Sequence, residues 1–376
     1  MQPNEDKGET FTNVLKFHVL AGGALEGDTN QFLGDHNQIS LYQTGVGKSK
    51  WLDTGVATPI QGILGELHTQ VDPLKERLSR VYKEGDVLYI FGFSRGAASA
   101  RLLASQLNMD GLKLANGPVI MKPKIELLGC WDTVAMQIAN NVGGVIHDWW
   151  NMEWPTSEVL GEINGELGEI VENAVHNVSI DDNRMWYQVT YPPTLMDSSN
   201  DRVLEVWFPG THGDVGGKPY KNGLSNGSFE FMQDSAKKLG LKFLESQDIS
   251  EVALIFEGEP WLHKSDFDHE PNCADQVNPS RPILLWPRPL GVKKKNVLAP
   301  EETAKIHVYY LEHLKARKDD GAKYCINEYM KDAKYTIVGS LGEDKSDRND
   351  ELKQLLDEEF EIDNNPNIVT IPRWGK

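Results

Sequence analysis

Two kinds of hydrophobic pattern succeed one another along the first 245 residues. Continuous runs of apolar, β-branched and aromatic residues are typical of strands buried on both faces of a parallel sheet, and they occur at 87–91, 125–130 and 203–208. Apolar positions three and four residues apart predict helices, and these occur at 59–82, 97–107, 157–171 and 229–239. Strand, helix and strand in this order form βαβ units. We therefore predict an α/β fold, with a mostly parallel sheet flanked by helices.

The pattern is less regular towards both ends of the chain. We interpret 14–20 as a short buried strand and 39–42 as another short strand. Beyond residue 245 we predict helices at 301–318 and 351–360, with an irregular proline-rich segment at 279–289. The sequence thus predicts an α/β domain over 1–245, with an insertion at about 135–175, and a C-terminal extension of unknown role over 246–376.

The overall charge argues against one class of partner. The chain has 56 acidic and 38 basic residues, which give a formal net charge of −18. Because nucleic-acid binding needs clustered Lys and Arg, we expect no nucleic acid as a partner. The same charge disfavours a general attraction to anionic membrane surfaces.

Cysteine usage and the N-terminal residues bear on cofactors and location. Three widely spaced cysteines predict neither a disulfide framework nor a zinc site. The first nine residues show no secretory signal, and no apolar run approaches the ~18 residues that span a bilayer. The pair Asp181-Asp182 lacks the spacing of a calcium loop, so we interpret it as solvated loop residues. We expect no metal or cofactor, and a cytoplasmic location in the producing cell.

The strongest motif is Gly92-Phe93-Ser94-Arg95-Gly96, which stands directly between a predicted strand and a predicted helix. A tight strand-to-helix turn of this GxSxG type lifts the serine hydroxyl clear of the sheet, and its strained backbone calls for small residues at the flanking positions. The turn also aims the backbone N–H of Arg95 at a developing oxyanion. Ser94 is therefore the candidate nucleophile of an α/β-hydrolase-like fold.

A serine nucleophile needs a histidine base and an acid that orients the histidine. Two later strand ends offer them, because the carboxyl ends of parallel strands gather at one edge of the sheet. Asp132 follows the 125–130 strand, and His212 follows the 203–208 strand in a glycine-rich loop. His176 is a rival base and Asp214 is a rival acid.

Several segments, taken in order, resemble signature segments of the α/β-hydrolase catalytic domain in type VI secretion phospholipase effectors. They are GFSRGA at 92–97, GCWDTV at 129–134, HNVSIDDNR at 176–184, WFPGTHGDVGG at 207–217 and QTGVG at 43–47, with a weaker match at 223–232. The resemblance spans about residues 14–242. It implies an α/β-hydrolase fold and cleavage of glycerophospholipid acyl esters, in some members by toxins delivered into rival bacteria. It also implies Ser94, Asp132 and His212 as a triad, and an immunity or secretion-carrier protein as partner.

The sequence departs from the family at its first predicted strand. The family's Asp-Gly-Thr turn is replaced by Leu20-Ala21-Gly22-Gly23-Ala24. Gly22 and Gly23 are therefore the candidates for a second oxyanion donor, through their backbone N–H groups.

Three functions stay open at this point. The first is a phospholipase, for which Trp149, Trp150 and Trp154 form a candidate interfacial patch, although packing between the hydrolase core and the 140–175 insertion is the favoured explanation for them. The second is a soluble esterase that acts on small or polysaccharide-linked esters, which the acidic charge favours. The third is a hydrolase-like binding module without activity, which the altered turn at Gly22-Gly23 favours.

Overall fold

The computed structural model describes most of the region in which the motifs lie. The described residues are 9–26, 37–45, 60–134, 167–182, 202–219, 223–277, 293–294, 297–298, 303–319, 330 and 333–357. The three tryptophans of the candidate patch and the predicted irregular segment at 279–289 lie outside these ranges.

A six-stranded sheet forms the centre of the described structure. Every neighbouring pair of its strands is parallel, and the strands lie side by side in the order in which they follow along the chain. In that order they are β1 (Leu88–Phe93), β2 (Ile125–Trp131), β3 (Val171–Ser179), β4 (Val203–Phe208), β5 (Ala304–His307) and β6 (Tyr335–Val338). All six carboxyl ends therefore lie at one edge of the sheet.

Helices flank this sheet. They are α1 (Asn13–Leu20), α2 (Ile60–Val81), α3 (Arg95–Asp110), α4 (His212–Gly216), α5 (Gly223–Lys238), α6 (Val308–Asp319) and α7 (Asn349–Asp357). Within the described ranges, four short antiparallel strand pairs are also present: Glu9–Thr12 with Gly217–Pro219, Leu112–Lys113 with Val119–Ile120, Ile255–Phe256 with Glu259–Pro260, and Lys293–Lys294 with Val297–Leu298. Short 3-10 turns occur at Ser246–Asp248, Glu251–Leu254, Lys264–Phe267, Ser340–Gly342 and Ser346–Arg348.

The alternation of side chains along β2 divides the core between the two faces of the sheet. Leu127 and Trp131 pack with α1 and α5 on one face, whereas Leu128 and Cys130 pack with α2 and α3 on the other. A third cluster joins Trp207 of β4 to α6 and α7. Both faces of the sheet are buried, so side chains that point to either face are apolar. This explains why the sequences of the strands are continuous apolar runs.

The predicted fold class is confirmed, and so are the strands at β1, β2 and β4. The predicted helices at 59–82, 97–107 and 229–239 are also present, as α2, α3 and α5. Helix α2 continues through Pro73 as a single element.

The prediction of a strand at 14–20 was wrong, because this segment is helix α1. Every residue of α1 except Val14 is buried, including Lys16, whose amine donates to the side-chain Oδ1 atom of Asn226 at 2.9 Å. Burial lowers the pKa of Lys16 to about 8. A short helix that is buried on all sides has no polar face, so its sequence does not show the helical period.

Three other predictions of secondary structure need correction. Residues 39–42 form no strand. Of the predicted helix at 157–171, the structure describes only 167–171, and these residues form a turn that leads into β3 at Val171. The first part of the predicted 301–318 helix is β5, because Ile306 pairs with Trp207 and His307 with Val338. Sheet pairing between distant segments overrides the local helical pattern.

The segment beyond residue 245 contributes β5 and β6 to the central sheet. The division of the chain at this residue stays a prediction, although part of the extension is structurally continuous with the sheet. None of the helices in the described ranges combines the length and apolar character that crossing a bilayer requires.

Candidate active site

Ser94 occupies a strained turn between β1 and α3. Its backbone has φ 59° and ψ −124°, a conformation that a residue with a side chain adopts only where the surrounding structure enforces it. The Ser94 N–H donates to the Trp131 carbonyl at 3.0 Å, which ties the turn to the end of β2. Although Ser94 is the residue that precedes α3, its hydroxyl does not cap the helix. The turn thus has the geometry that a GxSxG nucleophile requires.

The two glycines of the motif have different roles. A Cβ atom at Gly92 would lie 2.3 Å from the Gly96 carbonyl oxygen and 2.6 Å from the Cα atom of Ala97. A Cβ atom at Gly96 would meet no heavy atom within 4 Å among those described. The predicted need for a small residue is therefore confirmed at Gly92 and not at Gly96.

Arg95 is the first residue of α3. The N–H groups at the start of a helix have no acceptor within the helix and point towards its N-terminal end. Further along the first turn, the N–H groups of Ala97 and Ala98 donate to the Ser94 carbonyl at 3.1 and 3.2 Å. The Arg95 N–H therefore lies directly beside the serine, at the positive end of a 16-residue helix.

His212 and Asp132 form a short, buried hydrogen bond. The His212 Nδ1 and Asp132 Oδ2 atoms are 2.5 Å apart, and the Asp132 side chain is fully buried. An ionised carboxylate only accepts a hydrogen bond, so this contact places the imidazole proton on Nδ1 and the lone pair on Nε2. The structure thus brings together the predicted acid and the predicted base.

The backbone around Asp132 holds this carboxylate in place. Asp132 has a positive φ of 44°. Its N–H donates to the Asn177 carbonyl at 2.7 Å, and its Oδ1 atom accepts the Ser179 N–H at 3.1 Å. Residues of β3 therefore fix the acid from the side opposite to Ser94.

The His212 ring also contacts the strand that carries the serine. The ring centroids of His212 and Phe93, the residue before Ser94, are 4.5 Å apart. A Cβ atom at Gly216 would lie 2.0 Å from the Phe93 ring, so the end of α4 also packs closely against Phe93. Ser94, Asp132 and His212 thus extend from the carboxyl ends of β1, β2 and β4 at one edge of the sheet.

Both ring nitrogens of His176, the rival base, have partners inside the protein. Its Nδ1 atom lies 2.9 Å from the buried carboxylate of Glu205, and its Nε2 atom accepts the Thr133 N–H at 3.1 Å. A general base needs a lone pair that faces the nucleophile. In this arrangement His176 supports the turn that carries Asp132 instead.

Asp214, the rival acid, caps its own helix. Its Oδ2 atom accepts the Thr211 N–H at 2.9 Å and the Thr211 hydroxyl at 3.1 Å. This is a capping box at the start of α4. The Nδ1 atom of His212 is hydrogen-bonded to Asp132 and not to Asp214.

Gly22 and Gly23, the predicted oxyanion donors, already use their backbone N–H groups. The Gly22 N–H donates to the Val19 carbonyl at 3.0 Å, and the Gly23 N–H donates to the His18 carbonyl at 2.9 Å. Both glycines are buried at the end of α1. They would have to give up these bonds before they could bind an oxyanion.

The position of this turn also argues against the oxyanion role. The Leu20 carbonyl accepts the Leu244 N–H at 2.7 Å, which places the turn beside the chain that follows α5. The end of α5 contacts the start of β1, where the Tyr89 hydroxyl donates to the Leu239 carbonyl at 2.7 Å. Ser94 lies at the other end of β1. These contacts connect the turn to the amino end of β1 and not to the edge that carries Ser94.

The structure corrects the interpretation of Asp181 and Asp182, which follow the carboxyl end of β3. Asp182 is fully buried, and Asp181 and Asp182 accept backbone N–H groups of the loop that leads to His212. They are therefore not solvated loop residues. Their position directly after β3 is the sequence signal that places them at the carboxyl edge of the sheet. The hydrophobic pattern does not predict β3, so this signal is missed.

The comparison with protein families decides what this chain is related to. The profile of the family described as the type VI secretion system phospholipase effector Tle1-like catalytic domain matches residues 1–121 and 113–235. Together these two matches extend over more than half of the 376 residues.

The chain belongs to the Tle1-like phospholipase effector catalytic-domain family.

Solved structures show more distant likenesses to this Tle1-like chain. A Tle1 effector bound to the VgrG spike from the type VI secretion system is 16% identical, with a TM-score of 0.40, and the match covers 62% of this chain and 63% of that chain. An uncharacterized protein from Pseudomonas aeruginosa is 22% identical, with a TM-score of 0.30, and the match covers 58% of this chain and 32% of that chain. The Tle1-like chain spans less than two thirds of either protein. No curated protein matches it.

The described part of this Tle1-like chain holds no group of three or more His, Cys, Asp or Glu residues that could bind a metal ion.

The strained turn at Ser94 predicts that substitutions at its two glycines differ in their effect on stability. We expect Gly92→Ala to lower the free energy of unfolding by at least about 2 kcal/mol, because the new methyl group would overlap the backbone of α3. Gly96→Ala is the matched control, and we expect it to be neutral or stabilising by up to about 1 kcal/mol. Urea unfolding of both variants measures the difference. Equal stabilities would show that the close approach at Gly92 is not a constraint.

Proposed function

We propose that the chain is a serine hydrolase that cleaves acyl esters of glycerophospholipids through Ser94, His212 and Asp132. The observation that carries this proposal is the buried 2.5 Å bond between Asp132 and His212 at the edge where Ser94 occupies its strained turn. Membership of a phospholipase effector family supports the lipid substrate.

The geometry supports an acyl-enzyme mechanism. His212 Nε2 takes the proton of Ser94 Oγ as this oxygen attacks the ester carbonyl, and Asp132 stabilises the imidazolium that forms. The Arg95 N–H, at the N-terminus of α3, stabilises the oxyanion of the tetrahedral intermediate. His212 then donates its proton to the leaving alcohol. Water, activated in turn by His212, hydrolyses the acyl-Ser94 ester and releases the fatty acid.

The family also suggests where such an enzyme acts. The Tle1 effector of the solved complex is bound to the VgrG spike of a type VI secretion system. We accordingly propose that this chain is delivered to a target cell with a secretion-carrier protein, and that an immunity protein protects the producing cell.

A soluble esterase is the second candidate function, because the net charge of −18 opposes binding to anionic lipid surfaces. Such an enzyme would use the same Ser94, Asp132 and His212 on a small ester. The third possibility is a module that binds partners without catalysis, since the predicted donors Gly22 and Gly23 already donate their backbone N–H groups to the Val19 and His18 carbonyls.

Vesicle hydrolysis tests the proposed substrate class. We expect the wild type to release fatty acid from phosphatidylcholine vesicles, and Ser94→Ala to lose about 10⁴-fold or more of this rate because it removes the nucleophile. Ser340→Ala, at an exposed position in a 3-10 turn, is the matched control and should keep the full rate.

The other outcomes of this assay are equally informative. Hydrolysis of a short-chain soluble ester without any vesicle activity would favour the soluble esterase. No hydrolysis of either substrate, together with no labelling by a fluorophosphonate, would favour the binding module.

Two histidine variants test which base serves Ser94. We expect His212→Ala to be nearly as damaging as Ser94→Ala. We expect His176→Gln to keep its rate within about tenfold, because the Gln oxygen can still accept the Thr133 N–H. Initial rates on one ester measure both variants. An inactive His176→Gln beside an active His212→Ala would reverse the assignment of the base.

A further inference from the structure

The segment that follows β3 runs alongside the loop that follows β4. The Ile180 N–H donates to the Phe208 carbonyl at 3.0 Å, and the Asp181 N–H donates to the Gly210 carbonyl at 3.1 Å. The pairing of the two strands thus continues past their ends, up to the loop that carries His212.

Two consecutive carboxylates return hydrogen bonds to this loop. The Asp181 Oδ2 atom accepts the Gly210 N–H at 2.6 Å, and the Asp182 Oδ2 atom accepts the His212 N–H at 3.0 Å. Gly210 has a φ of 97°, so the loop bends sharply between the two contacts. Hydrogen bonds from backbone N–H groups to an ionised carboxylate are short and strong, and they offset the cost of burying Asp182 completely.

His212 is thereby fixed at three points. Asp182 holds its backbone N–H at 3.0 Å, Asp132 holds its ring Nδ1 at 2.5 Å, and the Phe93 ring covers one face at 4.5 Å between centroids. With the backbone and Nδ1 both held, the direction of the Nε2 lone pair is determined. Each contact comes from a different strand end, namely those of β3, β2 and β1.

A helix cap alone does not account for the Asp182 contact. Helix α4 already has a capping box, formed by Thr211 and Asp214. The Asp182 carboxylate comes from a different strand end and contacts the backbone of the proposed base itself.

We propose that Asp182 is a positioning residue for His212, which acts by accepting the His212 backbone N–H and so aims the imidazole at Ser94. This inference rests on the proposed function and adds a fourth residue to the site. Its action requires an acceptor atom at the position of Asp182 Oδ2, and not the negative charge as such.

Three substitutions at this position separate geometry from charge. Asp182→Ala removes the acceptor, Asp182→Asn keeps an oxygen at the same distance without charge, and Asp182→Glu keeps the charge but moves the oxygens one methylene further. We expect kcat for a short-chain ester to fall about 10- to 100-fold in Asp182→Ala, because small misplacements of a catalytic group have effects of this size. We expect Asp182→Glu to fall similarly and Asp182→Asn to stay within about threefold of the wild type. KM should change less than about twofold in all three.

The matched control is Asp266→Ala. The Asp266 Oδ2 atom also accepts a backbone N–H, that of His263 at 2.7 Å, in the 3-10 turn Lys264–Phe267. We expect its kcat to stay within about twofold of the wild type. Thermal unfolding of each variant shows whether it is folded, and Asp182→Asn with Asp182→Glu decide the question if Asp182→Ala does not fold.

Ser94→Ala, measured beside these variants, distinguishes a failure of the proposed function from a failure of the inference about Asp182. An active Ser94→Ala would overturn the proposed function and this inference with it. If Ser94→Ala is inactive, a wild-type kcat in Asp182→Ala would overturn the inference alone. A wild-type kcat in Asp182→Glu with a loss in Asp182→Asn would do the same, because charge and not position would then be the requirement.

Discussion

The hydrogen bond between Asp132 and His212 is the contact on which the candidate site depends. It joins the end of β2 to the loop after β4 across β3, which lies between them in the sheet. This contact requires parallel strands in register, because only then do the two strand ends reach the same edge. The strained turns at Ser94 and Asp132 are supported by the same register, through hydrogen bonds to Trp131 and Asn177.

The sequence predicted those parts of the site whose signals are local. Ser94 could be recognised because its motif stands between a strand and a helix, and both are strongly patterned. Asp132 and His212 could be proposed because each follows a continuous apolar run. The predicted pair is close in the structure, and the predicted fold class is confirmed. The family match agrees with the resemblance to phospholipase effectors that the sequence motifs indicate.

The errors share a physical cause, since they fall where structure depends on distant contacts. Helix α1 has no polar face, although Thr12 caps its start by accepting the Leu15 N–H and thus offers a local signal. Strand β5 forms because it pairs with β6, about thirty residues later in the chain, and with β4, about a hundred residues earlier. The sequence predicts Asp182 as a solvated loop residue because its partner, the N–H of His212, is brought near only by folding.

The central claim is that Ser94 is a nucleophile served by His212, and a crystal structure of the fluorophosphonate-treated protein tests it most directly. We expect a phosphorus–oxygen bond to Ser94 Oγ, a phosphoryl oxygen within about 3.1 Å of the Arg95 N–H, and His212 still bonded to Asp132. An adduct on another residue, or an unmodified Ser94 in protein that has reacted, would contradict it.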